Sequence, residues 1–233
     1  MLELAYRADS NSAAREGLWV RVPPAAPESS GASIRCRAVP RDVSACVNER
    51  ELGPSYAYLL GLYLGDGMLS PGRRNVWKLR ISLDAKYPQI VARAQRTMAE
   101  VSQRRVGAVA RIGCLEVWGY WKHWTCLFPQ HGIGHKHDRS ISLEPWQRSV
   151  VVAHVGDFIE GMIHSDGCRV LNQVQRGVYP RYFFSNYSAE IREIFVWACS
   201  LVGVECRSAG PRNIAVSRRA SVEILDRLVG AKS

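Results

Sequence analysis

Two short stretches decide the fold of this chain: LLGLYLGDG at residues 59–67 and IEGMIHSDG at residues 159–167. Each is an apolar, helix-forming run that ends in an Asp-Gly pair, and glycine commonly ends helices. The two aspartates, Asp66 and Asp166, lie 100 residues apart, since 166 − 66 = 100. This repetition predicts an internal duplication, in which the chain behaves like a dimer fused into one polypeptide.

The segments that follow the two stretches repeat in the same order. Alternation of apolar and polar side chains predicts strands, and 3.6-residue periodicity predicts helices. After the first stretch we predict a strand over 76–83, a helix over 87–102, strands over 106–113 and 115–120, and a helix over 121–127. After the second we predict a strand over 179–185, a helix over 189–203, strands near 205–208 and 213–217, and a helix over 221–228.

These elements define an α+β fold of two pseudo-symmetric αββαββα repeats. We place the first repeat at residues 52–150 and the second at residues 151–233. Residues 1–51 contain the proline-rich stretch PPAAPESSGAS and show no clear periodicity, so we interpret them as a poorly defined N-terminal segment and linker.

Small residues occur four apart in both motif helices, at Gly61 and Gly65 and again at Gly161 and Ser165. Positions four apart share a helix face, so each helix has a stripe that another backbone can approach closely. If the helices pack in parallel, Asp66 and Asp166 lie side by side at two helix C-termini, where they repel. A divalent cation such as Mg²⁺ would relieve that repulsion. Ordinary turns after buried helices are the alternative interpretation.

The charge of the chain favours a polyanionic partner. The formal net charge is +10, with 31 Lys and Arg against 21 Asp and Glu, and residues 1–51 contribute seven of each sign. The whole excess therefore lies in residues 52–233. No apolar run approaches the ~18 residues of a membrane helix. The seven cysteines form no CxxC pair and the N-terminus lacks a signal-like apolar segment, so we expect a cytoplasmic protein with reduced thiols.

Over about residues 55–232 the sequence resembles the LAGLIDADG (DOD-type) homing endonucleases, in the single-chain form with two motifs. The resemblance implies two motif helices at a central interface and saddle-shaped antiparallel sheets that straddle double-stranded DNA in the major groove. It also implies that Asp66 and Asp166 bind catalytic Mg²⁺ or another divalent cation, together with the backbone carbonyls of Gly65 and Ser165. The expected reaction is hydrolysis of both strands at a long asymmetric site, by a monomer that acts as a pseudo-dimer.

A lysine occurs late in each repeat, Lys136 in GIGHK and Lys232 in LVGAK. The family often has such a lysine, so both are candidate catalytic residues, although contact with phosphate or simple solvation explains them equally well. The motif departs from the family at its earlier acidic position, which is Leu64 in one copy and His164 in the other. We expect His164 to pack or to form a hydrogen bond rather than to bind metal.

Alternation in the strand over 76–83 places Lys78 and Arg80 on the face opposite Trp77, Leu79 and Ile81. A basic sheet face suits phosphate contact and reading of the major groove. The candidate DNA-binding residues are Arg73, Arg74, Lys78, Arg80, Arg169, Arg176, Arg181, Arg218 and Arg219. For any single arginine, a solvated surface charge is the alternative.

Two further features have ordinary explanations. The stretch HGIGHKHD at residues 131–138 could hold Zn²⁺ through its histidines, but we favour a glycine-rich loop that carries cations towards DNA. We expect the aromatic residues of the first repeat, which include Trp118, Tyr120, Trp121 and Trp124, to form core rather than a base-stacking platform.

The sequence thus favours a metal-dependent DNA endonuclease. One alternative is a domesticated, catalytically inactive DNA-binding regulatory protein on the same scaffold, and another is an RNA-binding maturase. The retained pair of aspartates favours the enzyme, because a pure binding protein gains nothing from two repelling carboxylates.

Overall fold

The computed structural model describes residues 52–174 and 177–230, all within one compact unit. The first repeat consists of α1 (Pro54–Asp66), β1 (Gly67–Pro71), β2 (Trp77–Asp84), α2 (Pro88–Ser102), β3 (Val106–Arg111), β4 (Cys114–Trp121) and α3 (Trp124–Leu127). A helix α4 (Pro145–Ala153) leads into the second repeat, which consists of α5 (Val155–Asp166), β5 (Gly167–Val174), β6 (Gly177–Ser185), α6 (Ala189–Leu201), β7 (Arg207–Ser208), β8 (Asn213–Val216) and α7 (Arg219–Val229).

Each repeat forms one antiparallel four-stranded sheet, in the order β1-β2-β4-β3 for the first and β5-β6-β8-β7 for the second. The alternation in β2 determines which face is covered: Leu79, Ile81 and Leu83 are buried, whereas the residues between them are partly exposed. In β6, Tyr182 and Phe184 are buried in the same way. The α+β fold of two similar repeats, predicted from the duplication, and the antiparallel sheets, implied by the family resemblance, are confirmed.

The two motif helices, α1 and α5, cross in parallel at the centre of the molecule. A Cβ atom on Gly61 would lie 2.5 Å from the carbonyl oxygen of Phe158, and one on Gly161 would overlap the carbonyl oxygen of Tyr58. Real Cβ atoms do not approach backbone so closely, so both positions require glycine at this crossing. Nine consecutive residues of α1, 56 to 64, are buried, as the central position of the helix demands.

Three elements differ from the sequence-based expectation. β1 and β5 begin at Gly67 and Gly167, directly after the motif helices, where we expected turns. Apolar and polar side chains alternate poorly over residues 168–173, which form an edge strand of the sheet. This segment is a strand because it pairs with β6 over its whole length, and such a long-range contact is not visible in the local sequence. α4 was not predicted, although a capping box of Glu144 and Gln147 with Pro145 marks its start.

Candidate metal centre and nucleic-acid interface

The C-terminal ends of α1 and α5 meet at Gly65. A Cβ atom there would lie 2.5 Å from the Cβ of Ser165 and 2.8 Å from Oδ2 of Asp166. The absence of a side chain at Gly65 therefore lets the Asp166 carboxylate lie against the end of α1, which itself terminates at Asp66. The Ser165 hydroxyl donates within its own helix, to the carbonyl oxygens of Gly161 and Met162.

Lys136 brings a positive charge to the same place. It lies in the 3₁₀ turn Lys136–Asp138, and its Nζ donates to the carbonyl oxygens of Tyr63, Leu64 (3.0 Å) and Gly65 (2.9 Å). The last carbonyls of a helix have no partner within the helix, so the ammonium caps α1. Burial lowers the pKa of Lys136 to about 8, and the negative charges of Asp166 and Asp66 oppose that shift.

Asn186, which the sequence analysis missed, also faces this site. Its Nδ2 donates to Oδ2 of Asp166 at 2.6 Å. Its own Oδ1 accepts the backbone N–H of Ser188, the residue that caps α6, and thereby fixes the amide. The Asn-x-Ser pattern before the helix 189–201 was a visible capping signal, but it gave no sign that the asparagine would reach Asp166.

The oxygens gathered here fit a divalent cation by their chemistry. Two carboxylates, Asp66 and Asp166, and the last-turn carbonyls of Gly65 and Ser165 are the hard donors that Mg²⁺ and similar ions prefer. The same set already interacts with one cation, the ammonium of Lys136, whose positive charge the two aspartates favour although burial disfavours it. An ion at Gly65 would share its carbonyl with Lys136 or displace the ammonium from it.

His164 lies along the helix crossing. It is buried, and its Nδ1 is 2.9 Å from the hydroxyl of Tyr58 on the other motif helix. The two rings meet edge to face at 5.7 Å. Glu160, one turn before, pairs with Arg93 of α2, and Arg93 stacks over the Tyr58 ring at 4.1 Å. His164 thus belongs to a hydrogen-bonded contact between the repeats, as expected from its place in the motif.

The open face of the first sheet, opposite the helices, carries charge and aromatic rings together. Lys78 and Arg80 of β2 lie on this face, cross-strand from Tyr120 and Trp118 of β4. Trp118 and Tyr120 contact each other at 5.6 Å, and Tyr120 is 49% exposed. The expectation that these two rings belong to the core is wrong, because even-numbered residues of β4 point away from the helices.

Glu116, the second residue that the sequence analysis missed, lies on the same face, on the inner strand β4. Its carboxylate is 3.2 Å from Nζ of Lys78, 3.9 Å from the Arg80 guanidinium and 3.9 Å from that of Arg111 on β3. Its side chain is 9% exposed. Three cations therefore surround one nearly buried carboxylate.

The open face of the second sheet has a different character. Arg181 lies on it with its guanidinium 5.8 Å from the ring of Phe183, and the Nε of Arg181 is buried without a hydrogen-bond partner among the described residues. The register position that corresponds to Glu116 is Asn213, since Ser82 pairs with Glu116 and Ser185 with Asn213. A neutral hydrogen bond from Ser185 to Asn213 stands there in place of a charged cluster.

Other predicted cations lie elsewhere. Arg169 pairs in register with the buried Tyr182, on the helix side of the second sheet, and its guanidinium forms two hydrogen bonds to Asp226 of α7, at 2.8 and 3.0 Å. The structure therefore does not place Arg169 on the open face. Arg176 and Lys232 lie outside the described residues.

Two pairs of arginines lie at the ends of strands. Arg73 and Arg74 form the exposed turn between β1 and β2, where Arg74 has a positive φ of 57°. Arg218 and Arg219 begin α7 just after β8 and pair with Glu205 and Glu223. All four side chains are exposed, at the rims of the two sheets.

The histidine-rich loop at 131–138 is held by Arg139, which donates to the carbonyl oxygens of Gln130, Gly132 and Gly134. His135 and His137 stack at 5.2 Å, and His137 contacts Tyr187 of the second repeat. Over residues 52–174 and 177–230, no group of three His, Cys, Asp or Glu side chains is placed to hold a metal. In the same part of the chain no helix has the length and apolarity that a membrane crossing requires.

Comparison with known proteins finds similar folds among solved structures but no similar sequence. No protein-family model and no curated protein sequence matches the chain. Among solved structures, I-DmoI in complex with DNA and Mn is similar at a TM-score of 0.53 and 15% identity, covering 78% of this chain and 99% of that one. The N-terminal LAGLIDADG domain of DUF199/WhiA is similar at a TM-score of 0.51 and 11% identity, covering 78% and 83%.

I-DmoI in complex with DNA and Ca gives a TM-score of 0.50 at 14% identity, over 78% of this chain and 92% of that one. The solved relatives are thus LAGLIDADG homing endonucleases and the WhiA domain, and they share their two-repeat fold with this chain. The resemblance stated from the two motifs is confirmed at the level of the fold.

Proposed function

We propose that this chain binds double-stranded DNA across its two sheets and cleaves both strands, with divalent metal ions held at Asp66 and Asp166. One observation carries the proposal: the two motif-terminal aspartates converge where α1 and α5 end, with the Asp166 carboxylate against Gly65 and the Lys136 ammonium interacting with both charges. Two carboxylates held together in this way repel each other, and a bound divalent cation would offset that repulsion.

The chain's own residues suit phosphodiester hydrolysis. Asp66, Asp166 and the carbonyls of Gly65 and Ser165 would hold the ions, which would supply activation of water and stabilisation of charge on the phosphate oxygens. Lys136, with a pKa of about 8, is an ammonium at neutral pH, and it would donate a hydrogen bond to a phosphate oxygen by giving up one of its three carbonyl partners. Asn186 orients the Asp166 carboxylate through its hydrogen bond.

The sheets supply the DNA-binding surface in this proposal. Lys78, Arg80 and Arg181 lie on the open faces, and Arg73 and Arg74 lie at the tip of the first hairpin. Cations in these positions suit contact with phosphates and with base edges of the major groove. I-DmoI, which shares the fold, has been solved in complex with DNA. A single chain with two repeats would bind as a monomer that acts as a pseudo-dimer.

The test compares the wild type with the double variant Asp66→Asn/Asp166→Asn on a randomised duplex library, with Mg²⁺ and with a chelator. We expect sequence-selective, Mg²⁺-dependent double-strand breaks from the wild type and none from the double variant. The control is the double variant Glu100→Gln/Glu193→Gln, which also removes two negative charges, one from α2 and one from α6. It should cut like the wild type. If the wild type cuts none of the selected duplexes, the proposed nuclease function is wrong.

The second candidate is a DNA-binding protein without cleavage. Lys136 favours it, because its ammonium already donates to the Gly65 carbonyl at 2.9 Å, one of the oxygens a metal would need. The WhiA domain shares the fold as well. Selective duplex binding without cutting, unchanged in the Asp66→Asn/Asp166→Asn variant, would establish this function. Tighter binding to a structured RNA than to any duplex would indicate the maturase instead.

A further inference from the structure

We propose that Glu116 acts as a charge clamp on the first sheet and thereby suppresses non-specific binding to polyanions. The inference rests on the proposed DNA-binding function but concerns the selectivity of binding rather than the reaction. By charge clamp we mean the cluster of Glu116 with Lys78, Arg80 and Arg111, which the three carboxylate–cation distances of 3.2, 3.9 and 3.9 Å define.

The clamp lies where the DNA is expected. Glu116 is on the open face of the sheet, because it pairs in register with Ser82, which lies between the buried residues Ile81 and Leu83. The flanking cations come from both neighbouring strands, β2 and β3. Their charges are therefore committed to one carboxylate before any nucleic acid arrives.

Binding of a phosphate would require the cations to leave Glu116. Non-specific affinity arises from Lys and Arg that neutralise phosphates and release counterions. A cation that already pairs with a carboxylate adds little to that term, and its transfer to a phosphate leaves a nearly buried charge unpaired beside another negative group. A cognate site can offset this penalty through base contacts, whereas a random duplex cannot.

Arg80 has the features of a residue that exchanges partners. Its guanidinium is 3.9 Å from Glu116, and its Nε is buried without a hydrogen-bond partner among residues 52–174 and 177–230. The Glu116 carboxylate thus attracts the Arg80 guanidinium without accepting a hydrogen bond from its Nε. The second sheet has Asn213 at the equivalent position, so Arg181 there is not restrained in this way.

The experiment measures polyanion binding by Glu116→Gln beside Glu193→Gln, an exposed position on α6. Both variants raise the formal net charge of +10 by one, so net charge is matched. The probes are a short random-sequence duplex, over a range of salt concentrations, and a heparin column. For Glu116→Gln we expect a salt dependence of log Kobs that is steeper by about 1 to 3, and elution from heparin at higher salt. Glu193→Gln should behave like the wild type.

Lys78→Met added to Glu116→Gln should remove about one unit of the added slope, because the freed lysine is one of the new phosphate contacts. Equal behaviour of Glu116→Gln and Glu193→Gln, or a gain that Lys78→Met leaves intact, would overturn the clamp. If no variant binds duplex but Glu116→Gln still elutes later from heparin, the clamp stands and the DNA function fails.

Circular dichroism serves as the control that each variant is folded. If Glu116→Gln does not fold, single substitutions in the wild type decide the question. Arg181→Met should then lower the salt slope by about 1, and Lys78→Met by less than half of that. Equal losses would contradict the clamp, because they would mean that Lys78 contacts phosphate as freely as Arg181 does.

Discussion

Nζ of Lys136 is 2.9 Å from the carbonyl oxygen of Gly65, so the end of the first motif helix carries a cation supplied by the protein itself. This ammonium also interacts with Asp66 and Asp166, the two carboxylates expected to hold divalent ions. Lysine and metal therefore draw on the same negative charge, which makes the metal affinity of the site depend on Lys136.

Replacing Lys136 with methionine should strengthen divalent-ion binding. Without the ammonium, the two carboxylates lose the cation that offsets part of their repulsion, and the Gly65 carbonyl no longer accepts a hydrogen bond from Lys136. We expect about tenfold tighter Mn²⁺ binding, measured by calorimetry in the absence of DNA. Lys136→Arg, which keeps the charge, serves as the control and should bind like the wild type. Mn²⁺ affinities that do not differ would show that the ammonium and the metal do not compete.

The lowered pKa of Lys136 also predicts a pH dependence of stability. The pKa is about 8 in the folded chain, against 10.5 for an ordinary lysine, so between these values the unfolded chain binds more protons. Stability then rises with pH across this window, because deprotonation removes the penalty of the buried charge. Urea unfolding at pH 7.5 and at about pH 9.5 should show this rise in the wild type, and a smaller one in Lys136→Met. Identical rises in both proteins would assign the effect to other groups.

Alanine at Gly61 should separate the two motif helices. Its Cβ would lie 2.5 Å from the carbonyl oxygen of Phe158, a backbone atom that cannot rotate away. We expect a loss of about 2–4 kcal/mol in the free energy of unfolding. Gly156→Ala is the matched control, because its Cβ would meet only the end of the Leu228 side chain at 3.2 Å. That substitution should change stability by less than about 1 kcal/mol. Both are measured by denaturant unfolding, and similar losses would argue against a close crossing at Gly61.

Arg169 and Arg181 should have separable roles, although both are arginines of one hairpin. Arg169 lies on the helix side and is bound to Asp226, so Arg169→Gln should lower stability by about 1 kcal/mol and leave the salt dependence of duplex binding unchanged. Arg181 lies on the open face, so Arg181→Gln should reduce that salt slope by about 1. A reduced slope for Arg169→Gln would place Arg169 against DNA after all.

The sequence by itself determined the duplication and the ends of the motif helices. These features are local: apolar runs followed by Asp66-Gly67 and Asp166-Gly167 determine where the helices stop, and small residues four apart mark the faces that can pack. The alternation in residues 77–83 likewise identified the buried face of β2 and placed Lys78 and Arg80 opposite to it.

The tertiary structure alone decided which partners these residues meet. Arg169 faces the helices because β5 begins at Gly167 and pairs Arg169 with the buried Tyr182, and a strand shifted by one residue would have turned it to the open face. Glu116, Lys136 and Asn186 reach their partners across 36, 71 and 20 residues of chain, since 116 − 80, 136 − 65 and 186 − 166 give these separations. Local patterns specify helices and strands, but contacts at such separations depend on strand register and on how the two repeats pack.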